Sequence, residues 1–181
     1  MKKELKLYGL FDTVLMPKVW LNLEAWQLKY APLYQGDYQK IAEAIPYLIE
    51  LNREINPYAV DELLENDTYR AGLLITSSLD IENLVQTLAS FYHIIGYDDK
   101  PYLRRFFDTR FFDKFLTGLL PEQLKFLFGD DTAFYYFVSE EQGYRQYQLN
   151  SSLSPVISFT ALSTLKEMIN RQCLGELNES K

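Results

Sequence analysis

The chain has 181 residues, with 18 Lys and Arg against 25 Asp and Glu, and its net charge of −7 disfavours broad contact with nucleic-acid phosphates. Hydrophobic residues make up 48% and charged residues 24%, which specifies a globular chain long enough for one domain with a real core. A lone cysteine (Cys173) and a lone histidine (His93) give neither an internal disulfide nor the ligand set of a typical zinc site, which fits a reducing, cytoplasmic setting. Charges within Met1–Lys6 fall where an export signal needs apolar residues, and no apolar run approaches the roughly 20 residues of a membrane span.

In chain order, Leu5 to Phe11 alternates as a first strand. Asp12 or Thr13 then caps a helix with Val19, Leu23 and Trp26 on its apolar side and Pro17 in its first turn. Ala31 to Tyr34 is extended, Gly36-Asp37 breaks the chain, and Ile41 to Ile45 is a short helical or turn segment. Pro46 to Leu51 is a strand entered through its proline. Asn56-Pro57 starts a helix with Val60, Leu63 and Leu64 on one face. Ala71 to Thr76 is a central strand, and Ser77 or Ser78 caps a helix carrying Ile81, Leu84, Val85, Leu88 and Tyr92, which His93 ends.

After a turn at Gly96 to Asp99, Tyr102 to Phe107 is expected as a strand. Asp108 or Thr109 begins a helix with Phe111, Phe112, Phe115, Leu116 and Leu119 inward, and Pro121 opens another through Leu127, ended by Gly129. Phe134 to Val138 and Tyr144 to Leu149 form a hairpin about Glu140 to Gly143. Ser158 begins a last helix with Leu162, Leu165 and Ile169 on one side, followed by a polar tail after Gly175. The whole reads as a single α/β domain: a mixed β-sheet flanked by helices, with residues 1–132 as the main unit and 133–181 as a C-terminal hairpin and helix packed on it.

The search for chemistry yields little. No nucleophile elbow and no glycine-rich phosphate loop is present, and Cys173 and His93 read as a small apolar residue and a polar rim residue. The acidic pairs Asp98-Asp99, Asp130-Asp131 and Glu140-Glu141 lack regular calcium-loop spacing. No metal, cofactor or catalytic residue is assigned. The informative stretch is Leu103 to Arg110, where period two puts Arg105 and Phe107 on one face and Asp108 stands at a helix start. Arg110 in the first turn opposes the helix dipole. Either Arg105, Asp108 and Arg110 pin this corner as a network, or their guanidinium groups meet a partner's acidic side chain or carbonyl. A second candidate surface is aromatic: 14 Tyr, 12 Phe and 2 Trp make up 15% of the chain, and Tyr135, Tyr144 and Tyr147, beside Arg145, are either exposed on the hairpin as a docking edge or core rings with their hydroxyls at its wet rim.

Four segments carry a family resemblance. Leu7 to Asp12, Ile45 to Leu51 with Pro46 and Tyr47, Gly72 through Tyr92, and Arg105-Phe106-Phe107-Asp108-Thr109-Arg110 come in the order and spacing of a known pattern. Together they resemble the adaptor (effector-chaperone) family of bacterial type VI secretion systems, long described only as a domain of unknown function. The likeness spans roughly residues 5 to 130, and Thr109 departs from it, standing where the family's signature has proline. The resemblance implies a cytoplasmic, non-catalytic adaptor that binds a secreted effector through its N-terminal or spike-proximal segment and helps load it on the VgrG spike, without cofactor. Two alternatives stay open: a toxin-binding immunity protein, and a small enzyme acting on an anionic substrate at the arginine corner.

Overall fold

The computed structural model describes residues 4–175, and the side chains of residues 4–168. The side chains of Ile169 and Cys173 and the tail beyond Gly175 lie outside the described residues. Among the described residues nine strands, six α-helices and two short 3-10 helices succeed one another, and seven of the strands form one sheet. They are β1 (Lys6–Asp12), β2 (Tyr30–Pro32), β3 (Pro46–Glu50), β4 (Leu73–Ser77), β7 (Ala133–Val138), β8 (Gly143–Leu149) and β9 (Pro155–Thr160), in the order β2-β3-β1-β4-β7-β8-β9. The remaining two, β5 (His93–Ile95) and β6 (Pro101–Leu103), make a separate ribbon.

Period two in the strands splits the core into two faces. In β1, Tyr8 and Leu10 join Leu48, Ile75, Phe134 and Tyr147 on one side, beneath helices α3 (Ile81–Tyr92), α4 (Phe112–Thr117) and α5 (Pro121–Phe128). Leu7 and Phe11 join Tyr47, Ile49, Leu74 and Tyr135 on the other, beneath α1 (Pro17–Trp26), α2 (Pro57–Glu65) and α6 (Leu162–Gly175), whose Leu165 is buried there. The α/β class and the flanking helices are as expected. Among the described residues, however, every strand pairing is antiparallel. The strands joined through α2, β3 and β4, do run parallel, but β1 lies between them and pairs with both.

Several elements differ from the sequence reading. Helix α1 starts from Met16 with Pro17 at its first position, so neither Asp12 nor Thr13 is its cap. Helix α3 is capped by Asp80, whose carboxylate accepts from the Asn83 N–H at 2.8 Å, in place of Ser77 or Ser78. The strand expected over Tyr102 to Phe107 ends at Leu103, because its ribbon partner is three residues long. Helix α4 starts later than expected, and Phe111 at its cap is half-exposed, not inward. Ser158 does not begin the last helix: it lies in β9, and α6 starts at Leu162. Among the described residues no helix is long and apolar enough to cross a membrane.

Candidate functional site

The end of β1 is where the chain gathers its distant parts. Phe11 is fully buried, and its ring lies across two glycines, Gly9 in the same strand and Gly72 just before β4. A Cβ at Gly72 would sit 2.5 Å from the Phe11 ring, so only glycine permits this approach. The next residue, Asp12, pairs across the sheet with Pro46, the first residue of β3. Thr13 Oγ1 donates to the carbonyl of Ile45 at 2.7 Å and lies 2.9 Å from that of Glu43.

Asp12 is buried and its carboxylate does two jobs. Oδ1 accepts from the Val14 N–H at 3.0 Å, folding the chain into the turn before α1. Oδ2 forms an ion pair and hydrogen bond with the Arg105 guanidinium, 93 residues along the chain. Arg105 itself sits in a run of tight turns after β6. The Phe106 N–H bonds the Arg104 carbonyl, Asp108 N–H the Arg105 carbonyl, and Phe111 N–H the Asp108 carbonyl. Strand alternation therefore fails here. Phe106 and Phe107 are both buried in the same core cluster, ring edge to ring face at 5.5 Å.

Asp108 and Arg110 form the second pair. Arg110 donates from its backbone N–H at 3.1 Å, from Nε at 2.9 Å and from a terminal nitrogen at 2.6 Å, the last two bidentate. These bonds, outweighing the effect of burial and aided by the nearby Arg105 charge, hold the Asp108 carboxyl below the usual carboxylate range. The expected three-residue network is thus two ion pairs, Asp12–Arg105 and Asp108–Arg110, side by side. Asp12 is the residue that sequence reasoning missed. Its place as the acidic end of the first resembling segment was the available signal.

The two arginines differ in what they offer outward. The Arg110 side chain is 70% exposed, and its guanidinium lies 5.6 Å from the ring centre of half-exposed Phe111. Leu15, also half-exposed, borders a cavity of about 210 Å³ together with Asp12, Phe107, Asp108 and Arg110. A second concavity of about 380 Å³ is lined by Arg104, Arg105, Phe111, Lys114, Phe115 and Leu119. The result is a cationic surface with apolar flanks, framed by ion pairs that fix its geometry.

The other expected site residues are elsewhere and inside. Tyr47 is buried in β3, its hydroxyl donating to the Ala42 carbonyl at 2.8 Å, and burial pushes that hydroxyl up to about 12. Tyr135, Tyr144 and Tyr147 are 1%, 3% and 1% exposed, so they are core rings, which corrects their candidacy as a docking edge. The physical reason is topological: β7 and β8 are interior strands, because β9 takes the edge. The Tyr147 hydroxyl donates to Asp113 and lies 3.1 Å from that of Tyr136, to which Arg145 donates at 3.1 Å. Burial first, then the bond to Asp113, raises the Tyr147 hydroxyl far above its ordinary value. Arg145 also neighbours Asp113 at 3.8 Å and Glu141 at 3.7 Å. His93 Nε2 accepts the Gln35 N–H at 2.9 Å, away from the corner.

The family model described as Domain of unknown function (DUF4123) matches residues 7–125. The chain belongs to this family. No curated protein and no solved structure matches it. The DUF4123 stretch holds both ion pairs, Pro46, Gly72 and the two concavities, whereas β7, β8, β9 and α6 lie beyond it.

Proposed function

We propose that this DUF4123 protein is a non-catalytic adaptor that binds a secreted type VI effector, by its N-terminal or spike-proximal segment, and helps load it on the VgrG spike. One observation carries the reading. The four segments that resemble the adaptor family converge on two residues: Phe11 lies on Gly72, and Asp12 pairs with Pro46 and bonds Arg105. A long-range ion pair that ties the signature arginine to the first strand supports a shared framework. The surface built on it, with Arg110, Phe111 and Leu15 outward, has the guanidinium, aromatic and aliphatic composition that anchors protein partners.

The test is co-purification of the tagged chain with a candidate effector, whole and lacking its N-terminal segment, with the spike protein present. Capture of the whole effector, loss on truncation and recruitment of the spike are expected. Arg110→Glu combined with Phe111→Ala should reduce that capture about tenfold or more, since anchor residues of this kind each contribute on the order of 1–2 kcal/mol. Arg110→Glu also breaks the pair with buried Asp108, so the double variant should melt lower, whereas Phe111→Ala alone, at an exposed ring, should keep the melting temperature and still weaken capture. Capture through the effector's toxin domain would replace the adaptor reading with immunity, and capture unaffected by the double substitution would remove the corner as the docking surface.

A further inference from the structure

We infer that the outer edge of the sheet, strand β9, is a self-complementary surface on which a second copy of this chain docks, strand against strand. Among the described residues this edge is uncovered. Pro155–Thr160 pairs there only with β8, and Val156, Ile157 and Phe159 are each about half exposed. The next helix, α6, returns over the opposite face, where Leu165 is buried and Lys166 meets Glu65. Of the usual devices that blunt an edge the strand has Pro155 at its first position, but it carries no charged residue and no bulge interrupts its register with β8.

The backbone fixes what fits. Asn150 N–H bonds the Ser154 carbonyl at 3.1 Å, one step beyond the Leu149–Pro155 pair. Antiparallel pairs alternate, so Val156, Ser158 and Thr160 face β8, while Pro155, Ile157 and Phe159 turn their backbone groups outward. Pro155, which has no N–H to donate, therefore occupies an outward position where β8 loses nothing. Ile157 and Phe159 present their N–H and C=O groups to the open side.

A second β9, antiparallel about a two-fold axis through Ser158, sets Ile157 opposite Phe159 of the other copy and the reverse. Each of these residues then donates and accepts one bond. Shifting the axis to Ile157 would bring Pro155 opposite Phe159 and lose a donor. Shifting it to Phe159 would call on Ala161, whose carbonyl already accepts from Leu165 in α6. In the favoured register the Ile157 and Phe159 side chains pack across the axis, extending the face that holds Tyr147, and Ser158 meets Ser158 on the other side. No like charges are brought opposite within the paired strands, which matters for a chain of net charge −7.

The register is testable by cross-linking. With the sole cysteine removed by Cys173→Ser, Ser158→Cys places two thiols directly opposite in a non-hydrogen-bonded pair, whose close Cα spacing suits a disulfide. Val156→Cys is the control, since Val156 faces Thr160 of the other copy. Ser158→Cys should form a covalent dimer roughly tenfold or more faster than the control, because the opposed thiols are held at high effective concentration. Sedimentation equilibrium should show a mass rising toward twice that of the chain with concentration, and Ile157→Lys should hold it at the single-chain value with an unchanged melting temperature. A single-chain mass at every concentration, equal cross-linking from both cysteine positions, or a dimer that survives Ile157→Lys would each overturn the proposal.

Discussion

The Asp12–Arg105 pair makes an asymmetric prediction. The Asp12 side chain is 5% exposed, but Arg105 is 43% exposed, so the two ends of the same ion pair lose different things when the other is removed. Asp12→Asn keeps an oxygen for the Val14 N–H and abolishes the charge, while the freed guanidinium can turn to water. A screened pair of this kind contributes on the order of 1 kcal/mol. Arg105→Met leaves a carboxylate inside with the Val14 N–H bonded to it, and an under-satisfied buried charge costs about 2–3 kcal/mol. At roughly 2–4 °C per kcal/mol for a chain of this size, the melting temperature should fall by about 2–4 °C for Asp12→Asn and by about 4–12 °C for Arg105→Met. Urea unfolding of both single variants and the double variant, followed by tryptophan fluorescence, gives the coupling energy. The double variant should be no worse than Arg105→Met alone, since it contains no orphaned carboxylate. Additive losses, or an Asp12→Asn variant worse than Arg105→Met, would refute the claim that this pair holds the corner together.

Two further outcomes rest on buried groups. Tyr147→Ala should destabilise the protein by about 3–5 kcal/mol as a core cavity, whereas Tyr147→Phe, which loses only the hydroxyl with its bonds to Asp113 and Tyr136, should cost about 1–2 kcal/mol in the same urea experiment. Asp108 has a carboxyl depressed below its ordinary 3.8 in the folded chain, so its pairing stabilises the fold fully above that value and the contribution is lost as pH falls through the lower folded value. Stability measured from pH 5 downward should therefore decline less steeply for Asp108→Asn than for the parent chain, and parallel curves would show that the Asp108–Arg110 pair contributes nothing.

Local signals are legible wherever one residue type dictates one geometry. Asn56 accepts from Ala59 N–H as a cap with Pro57 at the first helical position, Pro46 opens β3, and Gly129 ends α5 at positive φ. The failures are of two kinds. Strand alternation misplaces Arg105-Phe106-Phe107, where both phenyl rings bury on one side because turns, not a ladder, carry the backbone. A serine helix cap at Ser158 hides the strand signal of Pro155-Val156-Ile157-Ser158-Phe159-Thr160, whose β-branched and aromatic residues come after an opening proline. The larger loss is non-local. Nothing near Asp12 says that its partner lies at Arg105, and nothing in a tyrosine-rich hairpin says that another strand will move it away from the edge.

That displaced edge connects the family stretch to the strands beyond it. Within residues 7–125 the sheet has only β2, β3, β1 and β4, and β4 would be its border. Yet every residue of β4 is buried, and Leu74, Ile75 and Thr76 pair with Tyr135, Phe134 and Ala133 of β7. The later strands therefore complete the core of the DUF4123 stretch, covering a backbone row that would otherwise be open to other chains. They also carry the open edge outward, four strand spacings from β1 to β9, or about 19 Å at roughly 4.8 Å each. The arginine corner and the self-pairing edge share no residues, but α4 links them: its Lys114 and Phe115 line the corner, and its Asp113 bonds Tyr147 of β8, which pairs with Ile157 of β9. Effector capture measured with Ile157→Lys, and self-association measured with Phe111→Ala, should therefore show whether a ligand at one surface is felt at the other through α4 and β8.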